Sequence, residues 1–243
     1  MSRRLHDCLC RWAASTGINP QLLPSAPILL DQFGGRPDPT APGVDSRRID
    51  DWERRHGYRL PRTLRAWLNC SNGFDIDHPL IHPLSAIGPM VPFAKVPDLL
   101  VQPESWFELG NPNVETVCID LGYLWPGGGN PIFTSGDDES GSLPRIIAPS
   151  FESWFLELLR QGGREYWFDR GFKDLGHPWP AHRRFVPAPG LPDRLRPLAE
   201  RMLPLIRPTA DERAIASNLG ITLGDVELIF RYLQHGVGHF SES

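Results

Sequence analysis

No single helix can run through residues 49 to 74, IDDWERRHGYRLPRTLRAWLNCSNGF. Gly57 stands where a left-handed residue ends a helix at least cost, and Pro61 lacks the amide hydrogen that an unbroken helix needs. The apolar residues on either side nevertheless keep helical spacing. Ile49 and Trp52 predict an amphipathic helix ending at His56, and Leu64, Trp67 and Leu68 predict a second, with Pro61 in its first turn and Asn72-Gly73 closing it. The result is a compact helical hairpin whose apolar faces need a partner surface.

Strands downstream can supply that surface. In ETVCIDL, residues 115 to 121, Val117, Ile119 and Leu121 alternate with Thr116, Cys118 and Asp120, the pattern of a half-buried strand. PIFT (131 to 134) and RIIA (145 to 148) add two more strands. The stretches between them, WPGGGNP and SGDDESGSLP, are turn-forming, which predicts an antiparallel meander. Ser150 then caps the clearest helix, where Phe151, Trp154, Phe155, Leu158 and Leu159 share one face until Gly162-Gly163. Helices before a sheet and a helix after it predict an α+β domain with a central, mainly antiparallel sheet.

The flanks read as helix and linker. Leu5, Leu9 and Trp12 predict a short helix broken by Pro20, Pro24 and Pro27, residues 34 to 46 read as a long surface loop, and residues 176 to 192 form a proline-dense connector. Beyond it, Thr209 with Glu212 has capping-box spacing, and Thr222 caps a helix carrying Val226, Ile229, Phe230 and Leu233 up to Gly236. The expected organisation is a domain at 1–175, a connector at 176–192 and a C-terminal helical extension at 193–243.

With 40% apolar residues in 243, the chain can build a core without staples. A net charge of −4 opposes any general affinity for nucleic acid. Cys8, Cys10, Cys70 and Cys118 have neither zinc-site spacing nor the density of a disulfide framework, which fits a reducing compartment. No apolar run has the length of a signal peptide or a membrane span, so a cytoplasmic protein with no membrane partner is expected.

The chemistry-bearing groups do not assemble into a motif. His78 and His82 lie four apart beside Asp75 and Asp77, but Pro79 and Pro83 oppose the helix that would align them, leaving an ordinary loop. Gly127-Gly128-Gly129 lacks the ending of a phosphate loop and reads as a hairpin turn. His177 and His182, isolated in the connector, read as surface residues, and no nucleophile elbow is present. The two C-terminal helices have helix-turn-helix spacing, but Asp225 and Glu227 open the second where phosphate contacts would be wanted. The expectation is a chain without metal, cofactor or enzymatic activity.

The ordered set Ile49, Glu53, Gly57, Leu60-Pro61 and Asn72-Gly73 resembles the N-terminal signature of the SUKH superfamily, the Smi/Knr-type domain. Trp106 with Gly110, the IDL strand at Ile119, Asp120 and Leu121, Pro131 to Phe133, and the closing IAPSFESWFLELL with Ser150 and Phe151 follow in family order. The resemblance implies a non-enzymatic binding protein, chiefly an immunity protein that occludes a cognate nuclease or deaminase toxin, with the signature residues holding the scaffold. Partner contacts then fall on the variable surface, where Asp75, Trp125, Asp137, Asp138 and Glu139 combine aromatic anchor and negative charge suited to a basic toxin. The other reading is a regulatory or scaffold protein with a SUKH-like sensing domain and a helix-turn-helix-like C-terminal interaction module.

Overall fold

A computed structural model of the chain describes residues 3–25, 38–76, 78–91, 102–113, 115–136, 142–185, 190–206 and 210–236. It divides into two units, Met1–Met90 with Ser105–Pro178, and Val91–Glu104 with Trp179–Ser243. The fold is α+β.

The first unit opens with α1 (Arg3–Thr16), α2 (Ser46–His56) and α3 (Arg62–Cys70). Helix α2 starts three residues before its first apolar position, because the Asp45 carboxylate accepts the Arg47 amide at 2.7 Å and caps it there. Gly57 ends it in the left-handed conformation, φ 75°. Pro61 stands one place before the first turn of α3, at the N-cap, and the helix closes at Ser71 rather than at Asn72-Gly73. The reason is Ser71 itself: its hydroxyl donates to Gly73 O and accepts from Ala41 N, pulling the chain out of the helix.

The ordinary loop expected around His78 and His82 is instead largely extended: β1 (Phe74–Ile76) pairs antiparallel with β2 (His78–Ile81), and a bridge from Thr40 to Phe74 extends the pair, with Asp77 outside the described residues. Extended backbone accommodates Pro79 at this position, as it would not inside a helix.

The main sheet follows as β3 (Gly88–Pro89), β4 (Trp106–Gly110), β5 (Val117–Asp120), β6 (Ile132–Thr134) and β7 (Arg145–Ala148). Spatial order equals chain order, and every neighbouring pair is antiparallel. The meander is therefore present, but β5 is not half-exposed: all four of its residues are buried. Trp106 and Phe133, 4.8 Å apart, lie on the face away from the main core, beside Cys118. Features at both edges of the main sheet oppose further pairing. Pro89 sits in the edge strand β3, while Ile146 donates to Gly176 O at 2.8 Å and accepts from Leu175 N at 2.9 Å along β7.

Helix α4 (Phe151–Arg160) begins at Ser150, whose hydroxyl accepts the Ser153 amide at 3.2 Å. Its face meets α1 and α3 around an aromatic knot in which Phe155 lies 4.6 Å from Trp67 and 5.1 Å from Trp12. Each such ring buries roughly 150–250 Å², worth about 4–6 kcal/mol at most by area.

In the second unit, the proline-dense stretch contains a helix, α5 (Pro178–Phe185), and His182 on it is buried, not a surface residue. Helices α6 (Arg196–Met202), α7 (Glu212–Leu219) and α8 (Leu223–Gly236) enclose Leu195, Met202, Ile215, Val226 and Ile229. Asp211 caps α7, and Thr209 lies outside the described residues. Thr222 and Asp225 exchange reciprocal capping bonds at 3.1 and 3.2 Å. Arg194, 2.6 Å from Asp225, holds that carboxyl below its ordinary range. Asp225 and Glu227 are buried, so the acidic opening of α8 serves the unit's interior rather than its outer face. Among the described residues no helix is long and apolar enough to cross a membrane.

Candidate partner-binding surface

Several of the signature residues turn inward. Ile49 and Leu60 are buried, and the buried Glu53 carboxylate accepts from Leu60 N at 3.0 Å, Arg59 at 2.6 Å and Arg65 at 3.0 Å. It thereby ties α2, the Gly57 turn and α3 together, and Arg65 reaches on to Asp50. Asn72 Oδ1 accepts the Leu84 amide at 2.8 Å, and Gly73, φ 107°, packs so close that a Cβ would stand 3.0 Å from Ile81 O.

A second buried carboxylate builds the surface feature. Asp120, at the end of β5, accepts from Ser105 Oγ at 2.7 Å, Trp106 Nε1 at 2.9 Å and Gly122 N at 2.8 Å. Asn130 donates to Asp120 O and Tyr123 O, both at 2.9 Å, and Trp125 N donates to Gly129 O at 2.6 Å. Burial and the nearby Asp120 charge push the Tyr123 phenol well above its ordinary range, so it stays neutral. The loop 121–130 is thus fastened at its base and across its middle. Its tip is different. Leu124 is 61% exposed, Pro126, Gly127 and Gly128 are exposed, and Trp125 is half-buried.

The family model of the SMI1 / KNR4 family (SUKH-1) matches residues 43–157. Those residues form a SUKH domain. The match runs from just before α2 into α4 and so contains both buried carboxylates and the loop between Asp120 and Asn130. The family includes immunity proteins. No curated protein matches the chain.

Within the SUKH domain the expected contact residues fall on separate elements. Asp75 is exposed on β1, and Trp125 belongs to the loop after β5, where its amide closes the turn with Gly129. Asp137, Asp138 and Glu139 lie outside the described residues. His78 is exposed on β2, and His82 just beyond it is partly buried, which lowers its pKa. Among the described residues no group of three or more His, Cys, Asp or Glu could hold a metal ion. Leu124 was not foreseen, because a single leucine in a loop belongs to no periodic pattern. The one legible hint was its place just before Trp125 and a turn of glycines.

The glycines test the loop's rigidity. A Cβ on Gly129 would stand 2.3 Å from Ser150 Cβ, whereas one on Gly171 meets nothing within 4 Å. Gly129→Ala is expected to cost about 1–3 kcal/mol by overpacking, with Gly171→Ala close to neutral in the same thermal melt. Equal midpoints for the two variants would show that the loop is not seated on α4.

Proposed function

We propose that this chain is a binding protein that neutralises a cognate bacterial toxin of nuclease or deaminase class, in the cytoplasm, by occlusion and without turnover chemistry of its own. The observation that supports the reading is the fixed loop 121–130, which presents exposed Leu124 beside half-buried Trp125 on a SUKH scaffold that buries Ile49, Glu53, Leu60, Gly73, Asp120 and Phe151. A preorganised apolar anchor loses little freedom on binding, which is the character of an interface hot spot. With features at both sheet edges opposing further pairing, contact falls to side chains rather than to strand addition. Exposed Asp75 and the acidic run Asp137, Asp138 and Glu139 supply negative charge that steers a basic partner.

The test is co-expression with the toxin encoded beside the gene. Wild type should rescue growth and co-elute with the toxin in gel filtration, as an interface of about 1,200–2,000 Å² allows. Leu124→Ser should raise Kd at least about tenfold. If the wild-type chain neither binds nor rescues, the immunity role is wrong; if Leu124→Ser binds unchanged, the loop is not the contact face. The separate apolar core of α6, α7 and α8 favours a second reading, a regulatory or scaffold role with that unit as an interaction module. That reading expects no rescue by the wild-type chain.

A further inference from the structure

Two of the four cysteines stand against each other in the first unit. Trp12 Nε1 donates to Thr63 O at 2.8 Å and Arg62 donates to Ser15 O at 2.9 Å, which sets α1 and α3 antiparallel in fixed register. One turn back along α1 and two turns on along α3, that register brings Cys8 to Cys70. The Cys8 thiol donates to Cys70 O at 3.2 Å. A thiol is a weak donor, yet here it serves the carbonyl of the last residue of α3, which the helix itself leaves unbonded. Arg11 Nη2 in turn donates to Cys8 Sγ at 3.4 Å, and this bond, with the Cys70 sulfur nearby, holds the guanidinium above its ordinary range. The two sulfurs thus share a cation, which favours the thiolate. Their access differs. Cys8 is fully buried, whereas Cys70 is half-buried and partly open to solvent.

We propose that Cys8 and Cys70 are a redox pair that a small-molecule disulfide of the glutathione type closes into a staple between α1 and α3, with Cys70 as the entry point and Cys8 as the resolving thiol. The Cys70 thiol loses its proton to water and attacks one sulfur of the small disulfide, so that a mixed disulfide forms on Cys70 and one small thiolate leaves. The Cys8 thiol, deprotonated in its turn beside Arg11, then attacks the Cys70 sulfur. The bond of the pair forms and the second small thiolate leaves. Both leaving groups take up the released protons, so two protein thiols are oxidised as one small disulfide is reduced. Carbonyl and sulfur of Cys70 belong to one residue, so a side-chain rotation brings the thiols together. In a reducing compartment the pair stays open, and it closes as the pool of small disulfides rises. The staple ties α1, which precedes the matched residues 43–157, to the SUKH domain, whatever partner that domain holds.

The experiment takes the full chain, reduced and desalted, exposes it to oxidised glutathione under native conditions, and maps the unreduced peptides by mass spectrometry. A peptide joining Cys8 to Cys70 should appear, the melting midpoint should rise by about 5 °C or more, and both changes should reverse on reduction. Burial holds the Cys70 thiol above its ordinary range despite Arg11, so closure should quicken as pH rises from about 7 to about 9. Cys8→Ser should stop at a mixed disulfide on Cys70, and Cys70→Ser should leave Cys8 a thiol. Cys10→Ser should close as wild type does, because Cys10 is exposed beside His6. Free thiols at both positions, a wild-type product that stops at the mixed disulfide, a bond to Cys10 in place of the pair, or a joined pair that melts no higher would each overturn the proposal. The wild-type map decides the matter even where a serine variant fails to fold.

Discussion

Replacing Trp67 by alanine is expected to remove about 3–5 kcal/mol of stability, the usual cost of emptying a large aromatic site that cannot collapse. Trp67 is 0% exposed, and its ring lies 6.2 Å from Trp12, 5.7 Å from Phe74 and 4.6 Å from Phe155. It therefore joins α1, α3, β1 and α4 at one point, and four elements cannot all close inward on the space it leaves. Trp67→Phe should cost less, about 1–3 kcal/mol, because most of the volume remains. The Trp67 indole N–H, buried without a hydrogen-bond partner among the described residues, gives up no bond. Urea denaturation measures both variants, and Trp154→Ala should behave like Trp67→Ala because Trp154 is equally buried. An unchanged midpoint for either alanine variant would mean that its helix does not pack against this knot.

Glu53→Ala should be nearly as damaging, at about 3–5 kcal/mol, because it removes the buried carboxylate on which Leu60 N, Arg59 and Arg65 converge and leaves only the half-exposed Asp50 to answer Arg65. Leu60 N loses its acceptor, and Arg65, whose side chain is 28% exposed, loses the inner half of its pairing. The partners are unequal. Arg59 is 83% exposed in its side chain, so Arg59→Ala should change stability by less than about 1 kcal/mol, as exposed pairs do. Glu53→Gln retains an acceptor for Leu60 N and should fall between the two. Comparable losses for Glu53→Ala and Arg59→Ala in the same denaturation series would show that the pair, and not the hub, carries the energy.

Wherever side chains report their own environment, the architecture was legible. Helix α4 announced itself through Ser150 and a clean apolar stripe, and the Gly57 and Pro61 stops placed α2 and α3 to within a few residues. The start of α2 escaped because Ser46, Arg47 and Arg48 are all polar, and only the Asp45 cap marks it. Strand β5 was placed correctly, but alternation cannot say that both faces are covered, so Cys118 and Asp120 were expected outside. The pairing of β1 with β2 was hidden by Pro79, and the pairing of Leu175 and Gly176 with Ile146 is purely main-chain, leaving no trace in side-chain pattern.

The candidate site was less legible for a physical reason. Glu53 and Asp120 stand out as signature positions, but their donors lie six to fifteen residues away, at Arg59, Arg65 and Ser105, and proximity of that kind comes only from the fold. Trp125 was visible as an aromatic, whereas the more exposed Leu124 stands out only once the buried sides of the loop are known.

The guarded edges of the sheet have a consequence for how such a domain changes over generations. With Pro89 at one border and Leu175 and Gly176 along the other, the sheet's ladder ends within its own chain. Strand register is then insulated from what the surface carries, so substitutions at exposed Leu124 or half-buried Trp125 can change the loop's outer surface one at a time without shifting a single strand. A domain built this way can change its exposed side chains by point substitution, while one that held a partner through strand addition would have to keep the same main-chain contact with every partner.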